Sequence, residues 1–275
     1  MTRTLAPRTG WQLDEAGAES YEAILVTALL GPWAEDLVDA VGLRTGQRVV
    51  DVGTGTGAVA RAAARRTGGS GTVTGFDINP AMLTVARRVS AGTFPEISYE
   101  PAAADALPLP DGAADAVLCQ QVLQFVPDPS AVLAELRRVC APGGRMGIAT
   151  CRGLEHQPGY RLLTEVLERH IGRAAADVIR TPYALGGTEQ LRGLITGAGF
   201  TGAHARIVVS PCRVPSAEAL LRGETASSPL GDVVERLDAD AGAALVADLT
   251  TALAPHTDDE GVLFPFETIV VTADR

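Results

Sequence analysis

Between residues 14 and 42 apolar side chains return every three or four positions, with Tyr21, Ile24, Leu25, Ala28 and Leu29 forming one stripe. That spacing is the period of a helix. Gly31-Pro32 predicts a break, after which residues 34–41 continue as a second helix. From residue 48 the pattern changes. Short apolar runs at 48–52, 72–77, 97–100, 116–119 and 145–150 predict buried strands, and the stretches 58–66, 80–89 and 130–139 between them predict helices. Pro80 stands at the first position of its helix, where its missing N–H costs nothing. Pro142-Gly143-Gly144 follows the end of the third helix. Strands alternating with helices at this spacing predict an α/β fold with a Rossmann-like, doubly wound, mostly parallel sheet.

After residue 150 the alternation loosens. A helix is predicted near 160–171 inside irregular sequence, then a helix at 188–198, a turn at Gly199-Phe200, a strand at 203–209 and a last strand at 264–272. The late pair of strands brings the sheet to seven and predicts antiparallel pairing at that edge. The chain divides accordingly into N-terminal helices (1–44), a core (45–150), a helical insertion (151–187), a core helix and strand (188–210), a second helical insertion (211–261) and a final core strand (262–275).

Composition narrows the classes. With 275 residues, 46% of them hydrophobic, the chain has material for one large α/β domain with insertions. Charged or polar residues interrupt every apolar run, so no membrane span is expected. The start, MTRTLAPRTGWQLDEAG, has no apolar core of a signal peptide. Cys119, Cys140, Cys151 and Cys212 never form a C-x-x-C pair, which points to a reduced, cytoplasmic setting and no metal site. A net charge of −10 argues against nucleic acid as a partner. The chain has no lysine, and all 23 basic residues are arginine. Schiff-base chemistry, pyridoxal phosphate catalysis and a lysine-bearing phosphate loop are thereby excluded.

The chemistry gathers around Asp51-Val52-Gly53-Thr54-Gly55-Thr56-Gly57, at the end of the first predicted strand. Alternating glycines allow a tight turn and close approach of backbone to ligand. The same residues through Ala58 satisfy the dinucleotide pattern G-x-G-x-x-G/A, so a nicotinamide oxidoreductase is a competing reading. Asp51 bears on that choice: a carboxylate just before the loop repels a pyrophosphate but suits water or donors around a cationic amino-acid group. Asp77 ends the second strand, where an acid bonds ribose hydroxyls in either reading. The segment from Ala104-Asp105-Ala106-Leu107-Pro108 onward separates the two.

In these blocks the sequence resembles the class I S-adenosylmethionine-dependent methyltransferases, especially the branch of ubiquinone/menaquinone C-methyltransferases and small-molecule O-methyltransferases. The resemblance rests on the glycine loop, Asp77-Ile78-Asn79-Pro80 with Met82-Leu83, Asp105 to Pro110, and Leu136-Arg137-Arg138-Val139 with Pro142 to Arg145. It covers 45–150, and more weakly 188–209. It implies S-adenosylmethionine as cofactor. Gly53, Thr54 and Gly55 with Asp51 would then surround the methionine part and Asp77 would take both ribose hydroxyls. Ile78 would flank the adenine, Asp105 and Ala106 would read its amino edge, and Gln120 and Gln121 would lie near the methionine and the methyl. Asp51 and Asp105 are equally the residues that cap local turns.

Methyl transfer is an in-line displacement that asks mainly for alignment, so an obvious base is not required. Candidates on the acceptor side are His156 as a base, Gln121 beside the reacting methyl, and Tyr160, Phe125 and Tyr183 around a small-molecule acceptor. Leu220 and Leu221 add apolar surface. Tyr21 is read either as core or as a cover over the cofactor. The two insertions are expected to form an acceptor lid; the alternative is that they thicken the core or build a homodimer face. Two function classes stay open beside the oxidoreductase: a methyltransferase acting on an oxygen or activated carbon, and a protein that binds S-adenosylmethionine without transferring methyl.

Overall fold

A computed structural model describes residues 12–94 and 97–275; of the N-terminal segment 1–44, residues 1–11 lie outside the described residues. Strands β1 (Arg48–Val52), β2 (Thr72–Asp77), β3 (Ile97–Pro101), β4 (Ala114–Gln120) and β5 (Cys140–Cys151) pair in parallel in the order β3-β2-β1-β4-β5. Strand order reverses between β1 and β4, which opens a crevice at their carboxyl ends. β6 (Thr201–Val214) and β8 (Gly261–Asp274) complete the sheet in the order β5-β8-β6, both joined antiparallel. These are the seven strands the sequence predicts, with the antiparallel pair at the late edge. The two-residue β7 (Thr257–Asp258) adds a small hairpin on β8.

Helices cover both faces. α3 (Ala58–Thr67) and α4 (Pro80–Ser90) follow β1 and β2, and α5 (Pro129–Val139) and α8 (Thr188–Gly197) pack together on the opposite side. One apolar core joins Leu133, Leu136, Leu191 and Phe200 to the sheet, and a second joins Leu37, Val41, Ala60, Ala63 and Leu83 to its other face. The capping chemistry is local. Asn79 accepts from the Ala81 amide at 2.9 Å to start α4, and its Nδ2 donates to the Leu13 carbonyl at 2.9 Å. One side chain thereby caps a helix, worth about 1 kcal/mol, and ties the N-terminal helices to the strand ends.

At the N-terminus, α1 (Glu15–Tyr21) runs directly into a π-helical turn (Glu22–Leu30) and then α2 (Gly31–Val41). The break expected at Gly31-Pro32 does not occur. Gly31 keeps helical angles (φ −66°, ψ −52°), and the wider π turn delivers the Gly31 amide to the Val26 carbonyl. A Cβ on Gly31 would lie 2.8 Å from that carbonyl oxygen, so the glycine serves close approach rather than a turn. Pro32 sits in the first turn of α2, where no N–H is needed. π-bulges often occur at functional sites.

A third apolar core lies over the carboxyl ends of the strands. α6 (Pro158–His170), α7 (Arg173–Arg180), α9 (Ala217–Ser227) and α11 (Ala239–Leu253) contribute Leu163, Leu167, Ile179, Leu220, Leu221, Leu245 and Leu249 to it, with Leu230 at the N-cap and Val234 at the end of the short α10 (Gly231–Val234). The same core takes Leu29, Leu30 and Trp33 from the N-terminal helices and Phe264 and Phe266 from β8. The helical regions on either side of residues 188–214 therefore pack as one cap with the N-terminal segment. Among the described residues no helix is long and apolar enough to cross a membrane.

Candidate active site

A cavity of about 680 Å³ occupies the space between the strand ends and this cap. Its floor comes from the loop after β1 (Gly53, Gly55), the end of β2 (Asp77, Ile78, Asn79), Ala103 to Asp105, and the end of β4 (Gln120 to Val122). Its roof comes from Tyr21, Leu25, Leu29 and Trp33 on one side and Tyr160, Tyr183, Glu224 and Phe266 on the other. The volume falls within the ordinary range of small-molecule sites, about 300–1,000 Å³.

The glycine loop is held from below and above. Beneath it, Asp51 is buried and accepts from the Thr54 hydroxyl at 2.6 Å. Burial pushes the Asp51 carboxyl up from 3.8 to about 7, although Thr54 and the Ala60 amide, both hydrogen-bonded to it, pull the other way. Above it, Glu22 accepts from the Thr56 hydroxyl at 2.5 Å and from Arg61 at 2.8 Å, and Arg61 also donates to the Thr56 carbonyl at 2.6 Å. The π-helical turn is thus clamped to the loop. Gly53 has φ +67°, and a Cβ there would lie 2.2 Å from Val122 Cγ2, so glycine is required on both counts. Tyr21 Cε1 lies 3.9 Å from the position of a Cβ on Gly55. Burial, then Asp77, Glu22 and Asp51, raise the Tyr21 hydroxyl well above its ordinary range, so it is a neutral phenol lying over the loop.

Asp77 is the acid on the floor. Its Oδ2 accepts from the Gly55 amide and its Oδ1 from the Asn79 amide, each at 2.8 Å. Burial raises its carboxyl while these amides oppose the shift. Next to it Ile78 lines the cavity and is 61% exposed, a large apolar side chain left open among the described residues. Asp105 also lines the cavity and is exposed; no hydrogen bond joins its carboxylate to another described residue. The turn around it is closed by backbone instead, the Ala106 amide donating to the Ala103 carbonyl at 3.1 Å.

Where β4 ends, Gln121 has φ +56°, the one non-glycine positive φ among the described residues. Such a conformation costs of order 1–3 kcal/mol and tends to persist at functional sites. Gln121 Oε1 receives Gln124 Nε2 at 2.5 Å and the Cys151 thiol at 3.2 Å, while its own Nε2 is buried without a partner. Gln120 donates to the Leu30 carbonyl at 2.9 Å, and its Oε1 is likewise unpartnered.

The sequence-derived candidates are mostly brought together. Gly53, Gly55, Asp77, Ile78, Asp105, Gln120, Gln121, Phe125, Tyr160 and Tyr183 all line the cavity. Four do not. Asp51 and Thr54 bond each other beneath the loop, and neither lines the cavity. Ala106 does not line the cavity; its amide closes the turn onto the Ala103 carbonyl, and Ala103 to Asp105 line the cavity. His156 lies in a short turn after β5, where its ring meets Glu155 at 3.5 Å, and it does not line the cavity. No group of described residues forms a metal-binding cluster.

Glu224 is the residue the sequence reading missed. It lines the cavity from α9 and accepts from Tyr160 Oη at 2.9 Å. Burial raises its carboxyl from 4.5 to about 7, against the opposing pull of Tyr160. A signal was present: Ala217, Leu220, Leu221, Glu224 and Ser227 follow helical spacing, so the glutamate falls on the apolar stripe of its helix.

A model of the methyltransferase domain matches residues 50–148. An uncharacterized protein of Mycobacterium tuberculosis is 32% identical over 201 residues, covering 72% of this chain and 70% of that protein. The ubiquinone/menaquinone biosynthesis C-methyltransferase UbiE of Psychromonas ingrahamii is 39% identical over 116 residues, 42% of this chain and 46% of its own length. Among solved structures, the phosphoethanolamine N-methyltransferase 2 of Haemonchus contortus in complex with S-adenosyl-L-methionine superposes with a TM-score of 0.59 at 21% identity. The match covers 95% of this chain and 57% of that one. The glycine loop at the strand reversal, the acid ending β2 and these likenesses agree: the chain belongs to the class I methyltransferases, enzymes whose cofactor is S-adenosylmethionine.

Proposed function

We propose that the chain methylates an oxygen or an activated carbon of a small, partly apolar metabolite. The observation that carries this is the continuity of one cavity, from Gly55 and Asp77 on the floor to Tyr160, Tyr183 and Glu224 under the cap. The floor suits the cofactor chemically. Asp77 offers carboxylate oxygens to two ribose hydroxyls, Ile78 and Met82 offer apolar faces to adenine, and Asp105 offers an acceptor to its amino group. Gly53 and Gly55 leave room for the methionine part, and the unpartnered amide atoms of Gln120 and Gln121 are suited to its polar ends. Tyr21 closes this half of the cavity from above.

Bound there, the cofactor supplies a methyl group on a sulfonium. The remaining task for the protein is to hold the acceptor atom roughly 3–3.5 Å from that carbon and to keep water out. Trp33, Tyr160, Tyr183 and Phe266 make the second half of the cavity aromatic, with Trp33 and Phe266 centroids 4.7 Å apart and Tyr160 edge-on to Phe266 at 5.4 Å. α6 and α9 act as the acceptor lid in this reading. Four buried, unpaired cysteines favour a reducing compartment such as the cytoplasm, and the acidic surface favours no nucleic-acid partner.

The test is incubation with S-adenosylmethionine and candidate metabolites, followed by mass detection of a gain of about 14 Da with release of S-adenosylhomocysteine. Tight cofactor binding with no S-adenosylhomocysteine from any acceptor would favour the reading without transfer.

A further inference from the structure

Among the described residues, no cation stands beside the Glu224 carboxylate. The titratable groups that face it are Tyr160 and Tyr183 and the thiols of Cys151 and Cys212, contributed by α6, the turn after α7, β5 and β6. None of these is positive, and burial keeps each in its neutral, protonated form. Tyr160 Oη bonds Oε1, and among the described residues no hydrogen bond engages Oε2. Tyr160 is itself fixed, edge-on to Phe264 and Phe266 and 5.9 Å from Tyr183. The carboxylate is therefore oriented on one oxygen, open on the other, and set in an aromatic wall of the acceptor half of the cavity.

We propose that Glu224 takes the proton of a weakly acidic hydroxyl, phenolic or enolic, on a flat acceptor, with Tyr160 as the positioning residue that aligns its carboxylate. This rests on the acceptor site proposed above and narrows its substrate class. The step balances as follows. The acceptor O–H bond breaks and its proton passes to Glu224 Oε2. The oxygen forms a bond to the methyl carbon, whose bond to sulfur breaks with the electron pair left on sulfur. The products are the methyl ether, S-adenosylhomocysteine and protonated Glu224. A neutral hydroxyl is a poor nucleophile, so such an acceptor needs a base where an amine's lone pair does not. A base that titrates near neutrality is matched to a phenol-like acid, and the rise of Glu224 to about 7 supports that match.

The experiment uses the full chain saturated with S-adenosylhomocysteine and two probes of one shape, 4-nitrophenol and its methyl ether 4-nitroanisole. Affinities are measured by calorimetry for the wild type and Glu224→Gln. Nitrophenol should bind Glu224→Gln about 10- to 150-fold more weakly than wild type, as expected for loss of a charged hydrogen bond, while nitroanisole should change less than about twofold. Wild-type affinity for nitrophenol should also fall from about pH 7 to about pH 9, where both partners are anions, and the fall should vanish in Glu224→Gln. Tyr160→Phe should keep that pH dependence with weaker binding. Equal nitrophenol binding by wild type and Glu224→Gln would overturn the proposal. So would loss of both probes together with S-adenosylhomocysteine affinity retained, since that marks a residue that only shapes the pocket. Wild type that binds S-adenosylhomocysteine but neither probe overturns the hydroxyl class alone. Wild type that fails to bind S-adenosylhomocysteine overturns the site assignment beneath it.

Discussion

Asp77 reaches from the end of β2 to the glycine loop, its Oδ2 accepting from the Gly55 amide at 2.8 Å. The acid proposed to hold the ribose therefore also holds the loop that would face the methionine part. Asp77→Ala removes both functions, and loss of a charged hydrogen bond of about 1.5–3 kcal/mol predicts S-adenosylmethionine binding weakened about 10- to 150-fold. Asp77→Asn keeps one acceptor oxygen and should lose less. Calorimetric titration decides; unchanged affinity in a folded Asp77→Ala protein refutes the ribose role.

The contact between Gly53 and Val122 gives a second test. Gly53→Ala places a methyl against Val122 in a left-handed backbone conformation. Overpacking and the positive φ together predict a loss of about 1–3 kcal/mol in stability and weaker cofactor binding. Adding Val122→Ala relieves the clash but not the backbone strain, so the double variant should recover part of the loss. Additive losses in melting temperature would show that the two residues do not constrain each other.

How far these features were legible in the sequence follows from their range. β1 through β5 and the acid at Asp77 are local signals, a short apolar run and the residue that ends it, and the structure keeps them. Gly31-Pro32 misled because its meaning depends on the Val26 carbonyl one wide turn earlier, a contact that composition alone does not reveal. Asp51 and Asp77 look alike as strand-end acids, yet one is buried against Thr54 and the other faces the cavity, a difference set by which side of the loop each side chain leaves. Glu224 is far from every motif in sequence. It reaches the site only because α9 packs over strand ends formed more than a hundred residues earlier, although its place on an apolar stripe marked it as a carboxylate on the packed side of its helix. His156 was near the right strand but on a turn that leaves the cavity.

Stability should depend on pH chiefly through the raised carboxyls of Asp51 and Glu224, with Asp36 and Asp77 raised in the same direction. Asp51 and Glu224 move from 3.8 and 4.5 to about 7 in the folded protein. Between those values the folded state binds more protons than the unfolded chain, so stability falls as pH rises through the window and levels off above it. The melting temperature of the cofactor-free protein should drop from about pH 5 to about pH 7.5, and Asp51→Asn with Glu224→Gln should make the fall shallower, leaving the smaller part due to Asp36 and Asp77. A wild-type profile that is flat, or that rises over that interval, contradicts the burial assigned to both groups.

Asp105 separates cofactor recognition from turn formation. Its carboxylate has no hydrogen bond to another described residue, and the turn is closed by the Ala106 amide and the Ala103 carbonyl. Asp105→Asn therefore removes nothing the fold uses, and the melting temperature of the cofactor-free protein should stay within about a degree, as for a surface change away from any structural feature. Asparagine keeps the shape but presents an amide N–H₂ on one side where the carboxylate accepts on both. If Asp105 reads the adenine amino group, the charged hydrogen bond becomes a neutral one, and S-adenosylmethionine should bind roughly 3- to 15-fold more weakly. The adenine-free fragment methionine should be indifferent to the substitution, which assigns the loss to the base rather than to the loop. A fall in stability with cofactor affinity kept would return Asp105 to a turn-forming role and leave the adenine edge to the backbone of Ala103 and Ala104.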